Sequence, residues 1–451
     1  MQNFKKIFFV GIGGIGASAL AKLLQSQGKE VAGSDKYASE ITDDLRKQEI
    51  KVYIGHKENN LDKDTDLVIY SAAVKEDVPE RKKATKLGIP QLSYPEALGL
   101  ISRNKYTIAI SGTHGKSTTT ALLGLILTEA GLDPTVIVGS KVGSFKYGNL
   151  QIGKSNYFII EACEWRAHML ELRPQIIILN NIEEDHLDYY KNLKNIKEAF
   201  KEYVGRLPKT GLLIVNADDS NSLEAAKSAG GSVVTCGIDN QKVDCRATNI
   251  KTENKLQKFN LIWRNKNLGA FSLGIPGKFN IYNALAASAC ALKLGIKPEI
   301  IRKTLADFKG IWRRFEKVGE YNGALIFSDY GHHPTAIRNT LKAAREFYPN
   351  KRIVLVYQPH HFDRTKRLFE EFTRAFDAAD LVILNEIYDV PGRETIKNIS
   401  SKDLARELKK RKIKAIFTRN LKETRKTLLN NIEHNDLVLI MGAGDIYKLK
   451  I

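Results

Sequence analysis

The run Ser111-Gly112-Thr113-His114-Gly115-Lys116-Ser117-Thr118-Thr119-Thr120 carries the sharpest chemistry in this sequence. It follows an apolar strand pattern and opens a helical one. A Gly-Lys-Ser core in that context is a phosphate-binding loop. Backbone N–H groups cradle phosphate oxygens, Lys116 reaches the β- and γ-phosphates, and the Ser117 hydroxyl is placed to ligate Mg²⁺. The standard spacing puts a first glycine where Ile110 stands, so this is a shortened variant.

A second glycine motif, Gly11-Ile12-Gly13-Gly14-Ile15-Gly16, also sits between a strand and a helix, and Asp35 closes the next strand. This is the dinucleotide fingerprint in its expected setting. Glycines let the backbone approach a diphosphate at a helix N-terminus, where unpaired N–H groups favour anions. By itself the motif suits NAD or another diphosphate equally.

Acidic residues stand at two later strand ends. Phe158-Ile159-Ile160-Glu161 resembles a strand that delivers a carboxylate to a metal. Asn180-Asn181-Ile182-Glu183-Glu184-Asp185-His186-Leu187-Asp188 offers further carboxylates and an imidazole. Imidazole is an unusual ligand for so hard a cation as Mg²⁺. Three polar motifs follow strands near the C-terminus: Asp329-Tyr330-Gly331-His332-His333-Pro334, Gln358-Pro359-His360-His361-Phe362-Asp363-Arg364-Thr365 and Gly442-Ala443-Gly444-Asp445. Ligands bind at such strand ends in open α/β sheets. The two His-His pairs lack a third ligand at zinc-site spacing, so the expectation is no zinc.

The elements that must hold these residues read as α/β throughout. Strand patterns at 6–10, 30–34, 52–55 and 67–71 alternate with helical ones at 15–27 and 79–87. Strands at 106–111, 157–161, 176–180 and 212–216 make a second segment. Within it, 232–273 is a polar, β-rich excursion before an apolar helix at 281–294. Strands at 324–328, 353–358, 381–384, 415–418 and 437–441 make a third. Such βαβ alternation predicts parallel sheets. The expected fold is three α/β domains: a Rossmann-like domain over 1–103, a central P-loop domain with the β-excursion over 104–309, and a Rossmann-like C-terminal domain over 310–451.

The bulk numbers agree. At 451 residues, and roughly 150 residues per domain, three domains are expected. The 43% hydrophobic content suffices for cores. The four cysteines, Cys163, Cys236, Cys245 and Cys290, lack metal-ligand spacing and suit reduced thiols. No apolar run approaches a membrane span, and the apolar run near Met1 is too short for a signal-peptide core, so a cytoplasmic protein is expected. The net charge of +19 raises nucleic-acid binding. The lysines are nevertheless spread along the chain, with no aromatic–basic face, and the expectation is a solvated basic surface that attracts anionic small molecules.

The loop Gly112-Thr113-His114-Gly115-Lys116-Ser117 resembles the Thr-His-Gly-Lys-Thr/Ser loop of the Mur ligase family, which joins amino acids to UDP-N-acetylmuramate precursors of peptidoglycan. The resemblance runs the length of the chain, in order, through Glu161, the 181–186 segment, Pro276-Gly277-Lys278-Phe279-Asn280-Ile281-Tyr282-Asn283-Ala284, Trp312-Arg313-Arg314-Phe315 and the three C-terminal motifs. The N-terminal Gly-Ile-Gly-Gly and the Asp-Tyr-Gly-His-His-Pro motif are most similar to the member that adds L-alanine.

The resemblance implies ATP and Mg²⁺ as cofactors and UDP-N-acetylmuramate and L-alanine as substrates, with neither nucleic acid nor membrane as partner, in a monomer or homodimer. It turns the first glycine loop from NAD to UDP: Gly11, Gly13, Gly14 and Gly16 with Asp35 and Ser71 would hold the UDP-sugar. Gly112, Thr113, His114, Gly115, Lys116, Ser117 and Thr118 would hold the ATP phosphates, with Asn280 and Asn283 on the adenine side and Arg314 and Asp329 reaching ATP from the third domain. Ser117, Glu161 and His186 would arrange the metal. Lys116, Glu161, His186 and Arg364 form the implied catalytic set, and His333, His360 and Arg364 the amino-acid site. The family's Ala-Asp-Glu-Ser-Asp is here Ala162-Cys163-Glu164-Trp165-Arg166, its Gly-Arg-His-Asn is Gly277-Lys278-Phe279-Asn280, and its Pro-His-Arg is Pro359-His360-His361. A ligase that adds a whole tripeptide to the same sugar, and a basic P-loop ATPase acting on nucleic acid, are the competing readings.

Overall fold

The computed structural model describes residues 1, 3–389 and 397–451. Its first sheet holds β1 (Lys6–Val10), β2 (Glu30–Asp35), β3 (Lys51–Ile54), β4 (Leu67–Tyr70) and β5 (Gln91–Ser93), in the order β3-β2-β1-β4-β5 and parallel throughout. Ile7 to Val10 are all buried, as expected of a parallel strand covered on both faces. The strand order reverses at β1, so the loop that follows it, Gly11–Gly16, opens at the switch point where such sheets take ligands.

The second sheet contains β6 (Tyr106–Ser111), β7 (Thr135–Ile137), β8 (Leu150–Gln151), β9 (Tyr157–Glu161), β10 (Ile176–Leu179), β11 (Leu212–Asn216), β12 (Ser232–Gly237), β13 (Cys245–Glu253), β14 (Leu256–Trp263) and β15 (Lys266–Leu273). Their order is β15-β14-β13-β12-β11-β10-β6-β9-β7-β8. Strand β6 lies between β10 and β9, parallel to both. The loops leaving β6, β9 and β10 therefore emerge side by side. The polar excursion is the run β12 to β15, whose alternating sequence covers only one face.

The third sheet holds β16 (Glu316–Tyr321), β17 (Ala324–Asp329), β18 (Ile353–Tyr357), β19 (Leu381–Asn385), β20 (Ala415–Thr418) and β21 (Leu437–Met441), ordered β16-β17-β21-β18-β19-β20. Among the described residues, β16 alone is antiparallel to its neighbour in this sheet. The motifs at Asp329, Gln358 and Gly442 leave adjacent strands β17, β18 and β21 at the same end.

The chain divides into two compact units: Met1–Arg246 with Ile262–Leu268 and Tyr282–Thr304, and Ala247–Leu261 with Gly269–Ile281 and Leu305–Ile451. Within the first, one apolar cluster runs without a break from Ile7, Leu20 and Leu24 to Phe158, Ile177 and Phe200. The second unit has its own cores on both faces of the third sheet, around Tyr357 and Phe372 and around Val354 and Ile440. The four cysteines are free thiols.

Candidate active site

The P-loop is shaped by what presses on it. Gly112 and Gly115 take φ of 126° and 83°, which favour glycine. A Cβ on Gly112 would lie 2.9 Å from the Asn181 carbonyl oxygen, and one on Gly115 would strike the Asn283 side chain. Asn181 binds the loop throughout: its backbone oxygen accepts from Thr113 N–H at 3.0 Å, and its Oδ1 from His114 N–H at 2.8 Å. Asn180 donates to Thr119 Oγ1 at 3.2 Å, and Thr119 in turn to Asn283 Oδ1 at 3.2 Å. The strand-end asparagines and Asn283 thus support the loop from behind. Ser117 and Thr118 are buried in the first turn of the helix Lys116–Glu129.

Lys116 Nζ donates to Glu164 Oε2 at 2.7 Å and Oε1 at 3.0 Å, and to the Gly112 carbonyl. Burial works against the ammonium, but the Glu164 charge outweighs it and its pKa is raised. Glu164 also lies 3.8 Å from His186 Nε2, and Asp185 lies 3.9 Å from the same nitrogen. Glu164, Asp185 and His186 form a three-residue group able to hold one cation. His186 Nδ1 is buried without a hydrogen-bond partner.

Glu161, expected at the metal, is placed differently. Its carboxylate accepts from Gly139 N–H, and it is not part of the Glu164 group. The structure sets Glu164, one turn beyond the strand end, beside His186 and Lys116. The intervening turn is unusual: Arg166 and Ala167 both adopt left-handed backbone, with φ of 49° and 57°. Strained non-glycine backbone of this kind costs on the order of 1–3 kcal/mol per residue and concentrates at functional sites. His168, in the same turn, has its pKa pushed down to about 4 by burial and by the charges of Arg166 and His186.

In the first glycine loop the carboxylate of Asp35 accepts from Gly13 N–H at 2.9 Å. A Cβ on Gly13 would come within 2.8 Å of that carboxylate, and one on Gly11 within 2.9 Å of Ser71 Cβ. Of the four, Gly14 alone has room for a Cβ, which would meet Gly11 O at 3.6 Å and Ala17 Cβ at 3.9 Å, ordinary contact distances. Three of the four glycines are therefore required by packing within the protein, and Asp35 holds the loop's shape.

In the second unit, Asp329 is buried and accepts from Phe315 N–H at 2.9 Å and Gly331 N–H at 2.7 Å. Burial raises its pKa, against the nearby Arg314 charge. Both its oxygens serve the backbone turn at the end of β17. Arg313, passed over in the sequence, is buried and donates to the Gly442 carbonyl, tying β21 to that turn. Asn280 Nδ2 donates to Pro276 O at 2.7 Å, closing its own turn. His333 caps the helix Pro334–Phe347 through Thr335 N–H. The rings of His332 and His360 lie 5.6 Å apart, and His360 stacks on Tyr388. Arg364 Nη1 lies 3.5 Å from His360 Nδ1. The expected amino-acid residues His360 and Arg364 are thus together. His361 is buried, with φ of 80°.

Comparison with known proteins matches three family descriptions along the chain: Mur ligase family, catalytic domain, over residues 6–106; Mur ligase middle domain over 110–291; and Mur ligase, glutamate ligase domain, over 313–444. The UDP-N-acetylmuramate–L-alanine ligase of Caldanaerobacter subterraneus is 41% identical over 451 residues, covering 100% of this chain and 97% of that one. The ligase of the same name from Clostridium tetani is 43% identical, covering 99% and 97%. The crystal structure of UDP-N-acetylmuramate-alanine ligase from Thermotoga maritima superposes with a TM-score of 0.85 at 31% identity, covering 98% and 97%. From its first glycine loop to its last strand, the chain belongs to the Mur ligase family.

Proposed function

We propose that this protein joins L-alanine to the lactyl carboxylate of UDP-N-acetylmuramate in an ATP-dependent step of peptidoglycan precursor synthesis. End-to-end similarity to ligases of that name supports the reaction. The observation that carries the chemistry is the P-loop lysine held against Glu164, beside His186.

The lactyl carboxylate attacks the γ-phosphorus of ATP, giving an acyl phosphate and ADP. The amine of alanine then attacks the acyl carbon and phosphate leaves. Lys116 supplies positive charge to the phosphoryl oxygens as charge shifts onto them. Its pairing with Glu164 keeps it protonated in a buried place. Glu164, Asp185 and His186 fit a Mg²⁺ ion: two carboxylates are hard donors, and His186 Nε2 faces both of them. Bound there, the ion would neutralise phosphate charge. Gly14 marks the face of the first loop left open to the UDP diphosphate. Arg364, with a planar fork suited to a carboxylate, would hold the alanine carboxylate beside His360.

ATP and a UDP-sugar as substrates point to the cytoplasm, and no helix among the described residues is long and apolar enough to cross a membrane. The test is incubation with ATP, UDP-N-acetylmuramate and, in separate reactions, single amino acids and a tripeptide, read by product mass. The alanine adduct with ADP release is expected. Exclusive use of the tripeptide would overturn the reading, as would salt-sensitive nucleic-acid binding without amide product.

A further inference from the structure

Helix Tyr94–Ser102 joins the first sheet to β6, and it lies between two elements of the site. On one side it packs against the helix Ile15–Ser26, which the first glycine loop opens. On the other it packs against the turn Trp165–Glu171, which follows Glu164. The approach to that turn is close: a Cβ on Gly99 would lie 2.6 Å from the Glu171 carbonyl oxygen.

Tyr94 stands at the first turn of this helix, anchored by a Ser93–Glu96 capping box. Its ring edge presses on the first glycine loop: a Cβ on Gly16 would meet the Tyr94 hydroxyl oxygen at 2.5 Å and Cζ at 2.6 Å. Glycine at position 16 therefore makes room for a phenol. Burial and the nearby Glu161 and Cys163 raise the pKa of Tyr94, so the hydroxyl keeps its proton at neutral pH. No described protein group shares a hydrogen bond with it. A half-buried hydroxyl with no protein partner, between a diphosphate loop and the acid-bearing strand end, is placed to serve a ligand.

We propose that the Tyr94 hydroxyl donates a hydrogen bond to the UDP-sugar, on the part of the substrate that runs from the diphosphate at Gly14 toward the carboxylate to be phosphorylated. The group it meets is anionic or a sugar oxygen, and both accept from a neutral phenol. This rests on the substrate reading above, and it adds a residue that neither glycine motif contains.

Tyr94→Phe removes only the oxygen. It should keep the wild-type melting temperature and raise the KM and Kd for UDP-N-acetylmuramate about tenfold. The KM values for ATP and L-alanine should stay within about twofold. Gly16→Ala, which displaces the ring with the hydroxyl intact, should impair the same parameter. An unchanged Kd for the UDP-sugar in Tyr94→Phe would overturn the proposal, and so would an equal loss of ATP affinity. Wild-type protein that forms no product from UDP-N-acetylmuramate would instead overturn the substrate reading, which separates the two failures.

Discussion

Glu164 grips Lys116 with both carboxylate oxygens, at 2.7 and 3.0 Å, and its own side chain is only 5% exposed. The phosphate-binding lysine is thus also half of a nearly buried ion pair. Lys116→Ala should lower turnover by roughly a thousandfold. It should also destabilise the fold by about 3 kcal/mol, because a buried carboxylate loses its counter-ion. Urea unfolding beside single-turnover ATP kinetics checks both. Unaltered stability would mean that Glu164 finds another partner.

Glu161 and Glu164 should separate when each becomes glutamine. Glu164→Gln is expected to cut turnover at least a hundredfold and to shift the Mg²⁺ dependence to higher concentration. Glu161→Gln, whose carboxylate meets Gly139 N–H, should leave the Mg²⁺ dependence unmoved. Titrating Mg²⁺ against initial rate for the two variants decides it, and an equal shift in both would restore Glu161 to the metal.

The first glycine loop offers one clean position. A valine at Gly13 would drive into Asp35 and confuse folding with binding. Gly14 has extended backbone, with φ of −66°, and a Cβ there would make only ordinary contacts. Gly14→Val should leave the melting temperature nearly unchanged and weaken UDP-sugar binding at least tenfold, with ATP binding intact, in calorimetric titrations. Tight NAD binding to the wild type would show the loop to serve another ligand.

At the amino-acid site, Arg364→Ala should raise the KM for alanine tenfold or more at nearly constant KM for ATP and UDP-sugar. Lysine should rescue it only in part, having lost the bidentate fork. His361→Arg, which restores the family's arginine, has a cost that the sequence conceals. His361 is buried with φ of 80°, so a longer cation there should lower the melting temperature by several degrees. Steady-state kinetics and thermal melts on the same preparations test both.

His168 gives the fold a pH dependence of known sign. Its folded pKa, about 4, is depressed below the ordinary 6.5. The unfolded chain therefore binds the extra proton more readily. Stability from this residue is full above pH 6.5 and is lost as pH falls toward 4. His168→Gln should flatten that part of the urea-midpoint profile of the metal-free protein. A profile identical to the wild type's between pH 7 and 4.5 would refute it.

Much of this architecture is legible in residue order. Strands β1, β6, β9, β11 and β21 fall where the apolar runs predict, because a strand buried on both faces admits few polar residues. The two glycine loops are legible because left-handed backbone and close approach leave few other choices. Glu164 was not legible. Expectation went to the strand-end acid, Glu161, whereas the side chain beside His186 comes from a turn bent by left-handed Arg166 and Ala167. Neither residue type announces that conformation. Tyr94 was hidden for a related reason: Gly16 advertises an absent side chain, but not which neighbour fills the space.

Lys22 lies in the helix that leaves the first glycine loop, 5% exposed, and donates to Tyr147 O at 3.1 Å and Asn149 Oδ1 at 3.3 Å. Asn149 in turn donates to Ser18 and to the Ile15 carbonyl. Among the described residues no carboxylate hydrogen-bonds this ammonium, and burial lowers its pKa against the pull of the Asp44 charge. A fragment ending at residue 103 would strip away both acceptors of Lys22 and uncover the apolar cluster that continues into Phe158 and Phe200. What looks along the sequence like a separable cassette shares one apolar cluster with the segment that follows it. Recombining it with a foreign central segment would demand that Tyr147 and Asn149 travel with it.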